Sequence, residues 1–246
     1  MFDHVQIAVT DLSASERFYR TSLAVLGAEP VSGDGGLVEW EDWDLAQADA
    51  EHPVSSGLHV GFRAPDRAAV DDFWRAGVEA GYRSDGEPGA RPAYGPDYYG
   101  GFLLDPDGNS VEAMVTPRGR PVPAGRIDHL WLRVGDLRAS RRFYATIAPH
   151  TGFRVDADEP GRVQVRGEGQ SFALVDDGRA PTANVHLAFA AGEDATVRAF
   201  HAAARAAGFE DNGAPGERPA YHAGYYGAFV LDPDGHNVEV VNHNRG

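Results

Sequence analysis

The sequence has no cysteine and no lysine. Without thiols there are no disulfides, thiolate-bound metals, iron–sulfur clusters or cysteine nucleophiles. The 22 basic side chains are all arginine, and 37 acidic residues leave a formal net charge of −15. Such a surface repels phosphate backbones and anionic bilayers, so neither nucleic acid nor membrane is expected as a partner. No apolar run approaches the roughly 18 residues needed to span a bilayer. The opening residues Met1-Phe2-Asp3-His4-Val5-Gln6-Ile7 lack the basic and long apolar regions of a signal peptide, so a cytoplasmic location is expected. What remains is ordinary for a globular protein: 246 residues, 42% hydrophobic and 24% charged, enough for one large or two small domains.

The chain repeats itself. RPAYGPDYYGGFLLDPDGNSVEAM, from Arg91, and RPAYHAGYYGAFVLDPDGHNVEVV, from Arg218, share 15 of 24 residues at an offset of 127. DHVQIAVTDLSASERFY from Asp3 matches DHLWLRVGDLRASRRFY from Asp128, and LHVGFRAP from Leu58 matches VHLAFAAG from Val185. Three ordered matches at nearly one offset define a tandem duplication. The first unit is assigned to 1–116 and the second to 126–246. Between them, 117–125 is rich in proline and glycine and reads as a linker.

Periodicity predicts alternating strands and helices. Val5, Ile7 and Val9 mark a strand, and Ser13-Ala14-Ser15-Glu16 fits a capping box opening a helix with Phe18 and Tyr19, stopped near Gly27. Short strands are expected around Leu37–Trp40 and Trp43–Gln47. The scheme restarts with a strand at Leu58, Val60 and Phe62, and Pro65-Asp66 opens a second helix closed by Gly81. A loop is expected from Ser84 to Asp97. The segments Gly101–Leu104 and Ser110–Val115 form a hairpin about the Asp105-Pro106-Asp107-Gly108 turn. Each unit thus contains β-α-β-β-β twice, and the chain contains it four times.

Three donors fall on predicted strands of each unit: His4, His59 and Glu112 in the first, and His129, His186 and Glu239 in the second. Alternation places each on the face opposite its apolar neighbours. Two imidazoles and a carboxylate on adjacent strands make a facial triad, which leaves about three coordination positions for water, substrate or oxygen. Singly, each residue reads as an ordinary polar strand or hairpin residue. Together, the same three types recur at the same three places, and a buried unpaired glutamate is costly to keep.

The repeated module, the strand-opening histidines, the HxxxR-like start of LHVGFRAP and the closing DPDGNSVE and DPDGHNVE resemble the vicinal oxygen chelate superfamily. That superfamily contains glyoxalase I, extradiol dioxygenases and the bleomycin- and fosfomycin-resistance proteins. The resemblance covers nearly the whole chain. It implies an α+β fold in which four βαβββ modules form two open, mixed β-sheet barrels with helices outside. It also implies metal ligands at His4, His59 and Glu112, and at His129, His186 and Glu239. Members often exchange modules, so His4 is expected either with His59 and Glu112 or with His186 and Glu239, and His129 with the remaining pair.

The activity implied is that of a divalent-metal enzyme acting on a small molecule with vicinal oxygens, as a dioxygenase or a lyase/isomerase. The metal is expected among Fe2+, Zn2+, Mn2+, Ni2+ and Co2+. The alternative is a non-catalytic, bleomycin-resistance-like protein that binds an antibiotic in a groove, with Trp40, Trp43, Trp74 and Trp131 available to line it. A glyoxalase would call for a fourth acidic ligand, for which Glu41 and Asp44 lie nearby in one unit, but Gln170-Ser171-Phe172-Ala173 offers none in the other. The extradiol signature places a tyrosine where this chain has Phe102 and Phe229, although His222 fits its histidine. Tyr94, Tyr98 and Tyr99 and their counterparts Tyr221, Tyr225 and Tyr226 are candidates to hydrogen-bond a substrate oxygen or transfer a proton; the catalytic candidates are His222, whose counterpart is Gly95, with Tyr221, Tyr226, Tyr94 and Tyr99. His236 is expected to be solvated in its turn and His201 to face water. With two units in one chain, a monomer with an internal pseudo-dimer, or a homodimer, is expected.

Overall fold

The computed structural model describes residues 1–34, 36–116 and 122–244. Residues 117–121 of the expected linker lie outside the described residues. The first module runs β1 (Phe2–Val9), α1 (Leu12–Ala24), β2 (Ser32–Asp34), β3 (Leu37–Glu39) and β4 (Trp43–Gln47). The second runs β5 (His59–Arg63), α2 (Arg67–Glu79), β6 (Ser84–Ala90), β7 (Tyr99–Leu104) and β8 (Ser110–Val115). The third has β9 (Ile127–Arg133), α3 (Leu137–Ile147), β10 (Arg154–Glu159), β11 (Arg162–Arg166) and β12 (Ser171–Val175). The fourth has β13 (Val185–Ala190), α4 (Asp194–Ala206), β14 (Glu210–Glu217), β15 (Tyr226–Leu231) and β16 (Asn237–Asn242).

The strands form two mixed eight-stranded sheets, neither closed on itself. Their orders are β14-β15-β16-β13-β1-β4-β3-β2 and β10-β11-β12-β9-β5-β8-β7-β6. By contacts the chain divides into two compact units, Gln6–Trp131 and Met1–Val5 with Leu132–Gly246. Each compact unit therefore takes the start of its site-bearing first strand from the other copy of the sequence repeat.

Local chemistry explains the elements. Asp11, in extended conformation, caps α1 by accepting from the Ala14 amide at 2.9 Å, and Asp136 caps α3 through the amides of Arg138 and Ala139. The expected cap at Ser13 is thus corrected to Asp11: Ser13 is already the second residue of the helix, and Asp11 is the extended residue before it whose carboxylate reaches a first-turn amide. Phe18, Tyr19 and Leu23 give α1 its buried face. Past the helix end Gly27 takes φ +80, and the Ala28 amide donates back to the Leu23 carbonyl. On α2, Val70, Phe73 and Gly77 are buried, and a Cβ on Gly77 would lie 2.3 Å from Leu103 of β7. The loop expected over Ser84–Asp97 begins instead as strand β6. It pairs antiparallel with β7 through register shifts at Gly86 and Gly89, a bulged edge strand whose glycines hide it from a periodicity reading.

Each hairpin turn is pinned from beneath by a buried aspartate. Asp105 accepts from the amides of Asp107 and Asn109 through Oδ1, and from the Tyr19 hydroxyl and Asn109 Nδ2, both at 3.1 Å, through Oδ2. Asn109 Oδ1 in turn accepts from the Leu58 amide at the entry to β5. The second copy repeats the device with Asp232 and Tyr144. There His236 replaces Asn109, and its Nδ1 accepts from the Val185 amide at 3.2 Å. His236 is therefore fully buried, not solvated: a ring nitrogen does the work of an amide oxygen in fixing β13. Burial raises the carboxyls of both Asp105 and Asp232, with the hydrogen bonds opposing. Removing the acceptors in Asp105→Ala is expected to cost about 3 kcal/mol, with Asp105→Asn costing less because one acceptor survives, measured by urea unfolding.

Candidate metal centres

In the unit Gln6–Trp131, three neighbouring strands bring the donors together. β5 pairs parallel with β8, setting Gly61 against Glu112, and antiparallel with β9, setting Gly61 against His129. His59 lies two residues along β5 from Gly61, on the same face. Glycine at 61 leaves the room: a Cβ there would stand 2.3 Å from the His129 ring. His59 Nε2 is 3.2 Å from His129 Nε2, and Glu112 Oε2 lies 3.2 Å from the former and 3.4 Å from the latter. In the other unit, β13 and β16 pair in parallel with Ala188 against Glu239. His186 Nε2 is 3.0 Å and His4 Nε2 3.9 Å from Glu239 Oε2. The histidines thus group as His4 with His186 and Glu239, and His129 with His59 and Glu112; in each group the donor atoms lie within 4.8 Å of one another.

For His4, His59 and His129 the remaining polar atoms fix which nitrogen faces the centre. His129 Nδ1 donates to Asp128 Oδ1 at 3.0 Å, and His4 Nδ1 to Asp3 Oδ1 at 2.9 Å. His59 Nδ1 donates to Ser110 Oγ at 3.1 Å, because that hydroxyl is itself spent on Asp85 at 2.7 Å. With Nδ1 protonated, a neutral ring presents a bare Nε2 lone pair. Two lone pairs and a carboxylate oxygen facing one another repel unless a cation stands among them, so the donor set fits a divalent metal. Each carboxylate has one oxygen at the centre and the other on a tyrosine. Tyr98 donates to Glu112 Oε1 at 3.0 Å and Tyr225 to Glu239 Oε1 at 2.7 Å. Burial and these carboxylates raise both phenols, keeping them protonated donors. Glycine again makes the space, since a Cβ at Gly100 or Gly227 would lie 2.2 Å or 2.7 Å from the glutamate Oε1.

Without a metal, protons take its place. Burial alone raises the Glu112 carboxyl, but the rings of His129 and His59 overcome it and hold it down at about 2. Burial likewise lowers His129, and Asp128 with Glu112 overcomes this, pushing it up to about 9. His59 and His186 stay below the ordinary histidine range because burial outweighs their glutamates. The His129–Glu112 pair therefore stabilises the metal-free fold through two titrations of opposite sign. The His129 part is complete below its reference value of 6.5 and lost as pH rises through about 9. The Glu112 part is complete above 4.5 and lost as pH falls through about 2.

The other sequence-derived residues are placed as follows. Tyr94 is 48% exposed and packs edge-on against Tyr98 and Trp131; Tyr221 is 64% exposed and tilts against Tyr225. The Tyr99 hydroxyl donates to Asp71 of α2, and that of Tyr226 accepts from Arg198 of α4. Neither is directed at a glutamate. Tyr98 and Tyr225, which do touch the carboxylates, immediately precede β7 and β15, four residues before Phe102 and Phe229, the register partners of Glu112 and Glu239. His222 meets neither triad; its Nε2 is 2.8 Å from His243 Nδ1. Trp40 and Trp43 do not line a groove: both are buried, against Tyr19 and Phe62. Glu41 pairs with Arg126, and neither Glu41 nor Asp44 joins a donor group among the described residues. His201 pairs with Asp211 at 3.0 Å rather than simply facing water.

A family model, Glyoxalase/Bleomycin resistance protein/Dioxygenase superfamily, matches residues 1–113 and again 126–240. The chain belongs to this superfamily. Its structure is similar to that of glyoxalase I from Zea mays, with a TM-score of 0.71 at 20% identity over 98% of this chain and 92% of that one. It is also similar to a putative dioxygenase from Bacillus subtilis subsp. subtilis str. 168, with a TM-score of 0.68 at 14% identity over 100% of this chain and 86% of that one. At such identities the likeness speaks for the fold. No curated protein matches the sequence. No helix among the described residues is long and apolar enough to cross a membrane.

Two outcomes are expected. Gly227→Ala will push the Glu239 carboxylate off its place and weaken metal uptake at that centre about tenfold or more, with Gly100→Ala doing the same at the other, read by metal competition. Metal entering the His59–Glu112–His129 centre at pH 7 will release about one proton, read by calorimetry in buffers of different ionisation enthalpy.

Proposed function

We propose that the chain is a divalent-metal-dependent enzyme that acts on a small molecule carrying two neighbouring oxygens, in the manner of a dioxygenase or a lyase/isomerase. The observation that carries this reading is the orientation of the donors: two Nε2 atoms and one carboxylate oxygen converge, with Nδ1 of His4, His59 and His129 and Oε1 of Glu112 and Glu239 already engaged elsewhere. His4, His186 and Glu239 would hold one divalent cation and His129, His59 and Glu112 another, and three protein donors per ion would leave room for the oxygens of a small molecule. A cation of the Fe2+, Zn2+, Mn2+, Ni2+ or Co2+ type held there would supply Lewis acidity toward those oxygens.

The chain's own residues do the rest. Asp3 and Asp128 hold the first-strand rings in the tautomer that presents Nε2, and Tyr98 and Tyr225 hold the glutamates so that one oxygen faces inward. Tyr94 and Tyr221, exposed on the segments leading into β7 and β15, would bind a ligand oxygen or carry a proton to or from it. Tyr99 and Tyr226 keep the supporting role their helix contacts give them. Both centres lie within one chain, so a monomer or a homodimer serves, in the cytoplasm.

Elemental analysis of protein purified without chelator, and after reloading, tests this. Two metal ions per chain are expected, with Glu112→Ala and Glu239→Ala each losing one and the double variant losing both along with turnover. Protein that takes up none of the five metals would overturn the reading in favour of a metal-free ligand-binding protein.

A further inference from the structure

The two centres differ in what stands behind the aspartate that orients the first-strand histidine. Behind Asp128 is Arg63, whose guanidinium pairs with Asp128 Oδ2 and also donates to the Thr116 carbonyl at 3.0 Å. That charge is permanent over the working pH range. In the other copy of the repeat the place of Arg63 is taken by Ala190, that of Thr116 by His243 and that of Gly95 by His222. There His243 Nε2 lies 2.9 Å from Asp3 Oδ2, His222 Nε2 lies 2.8 Å from His243 Nδ1, and His222 Nδ1 lies 2.8 Å from the Ala223 carbonyl oxygen.

Counting protons along this chain gives a definite result. A carbonyl oxygen only accepts, so His222 Nδ1 carries a hydrogen. A carboxylate only accepts, so His243 Nε2 carries one as well. If both rings were neutral, His222 Nε2 and His243 Nδ1 would be two bare lone pairs 2.8 Å apart. A third proton between them removes the repulsion, and the rings, within 15° of parallel planes at a centroid separation of 5.1 Å, are set for a nearly linear N–H···N bond. The pair then carries one positive charge.

We propose that His222 and His243 share one proton, and that this removable cation does for the His4 centre what Arg63 does permanently for the His129 centre: it offsets the aspartate that orients the metal-binding ring. His243 and His222 are positioning residues that act through Asp3. When the pair loses its proton, Asp3 is left uncompensated, draws harder on the Nδ1 hydrogen of His4 and makes Nε2 a stronger donor. The groups facing the pair agree with a cation there. Asp3 stands on β1. Tyr225 meets both rings edge-on, 5.2 and 5.3 Å between centroids, and passes to Glu239. Tyr221, with Arg218 near it, packs on Tyr225, and Asn244 beside His243 is held by Asp194 of α4.

The consequence for metal rests on the proposed function, whereas the shared proton does not, and the test separates them. In metal-free protein, the ring nitrogens of His222 and His243, followed by 15N resonance across pH, should lose one proton together in a single step; two independent titrations would overturn the shared proton. Zinc affinity is then measured from pH 6 to 9 by competition in Glu112→Ala, which retains only the His4 centre, with and without His243→Gln. The rise with pH should be about tenfold smaller in the protein that also carries His243→Gln. In Glu239→Ala, which retains only the His129 centre, His243→Gln should change nothing. Equal rises with and without His243→Gln would overturn the coupling to Asp3. Zinc binding absent from both single variants would overturn the proposed function, while the resonance still reads the pair.

Discussion

A glutamate buried in each compact unit is the constraint on which the rest of the structure turns. Glu112 is 1% exposed and Glu239 is fully buried. An ionised carboxylate so far from water must be met by positive charge and hydrogen bonds, or it will protonate. Here each is met by two imidazoles and a phenol, and the backbone has been cut back to glycine at positions 100 and 227 to let it lie flat. The strand register, the aspartates behind the histidines and the tyrosines before β7 and β15 together make that one group tolerable. A divalent cation would satisfy it without any member of the group being protonated, so the donor set fits a metal centre.

Duplication has kept this arrangement twice while changing what surrounds it. The turn aspartates Asp105 and Asp232, their tyrosines and the carboxylate-binding tyrosines are the same in both copies. Differences fall just outside the donors: Arg63 against Ala190, Thr116 against His243, Gly95 against His222 and Asn109 against His236. The first three change the charge that backs the orienting aspartate. The fourth keeps a contact: an imidazole nitrogen accepts from the Val185 amide as the asparagine oxygen accepts from that of Leu58. Histidines gained in one copy are thus not equivalent; only their partners distinguish them.

Much of this was legible before folding. The repeat, the four βαβββ modules and the six donors are local or periodic signals, and alternation along a strand assigns faces without reference to anything distant. The helix start at Asp11 was displaced from the expected Ser13 because two capping residues competed within three positions. Strand β6 was hidden because its proline and glycines spell a loop, while its pairing comes from β7. His236 read as a turn residue open to water, and Trp40 and Trp43 as groove residues, because their burial is supplied by segments remote in sequence.

The amino-acid sequence by itself determined the module, its duplication and the kinds of donor atom available, since these depend on side-chain chemistry and on periods of two and about 3.6 residues. Only the tertiary structure decided that His4 joins His186 and Glu239 while His129 joins His59 and Glu112. It also decided which of the neighbouring tyrosines touches each carboxylate and which atom of each ring faces the centre. The physical reason is that strand pairing between distant segments sets distances of about 3 Å, and hydrogen bonds fix tautomers at that range, where spacing along the chain carries no information.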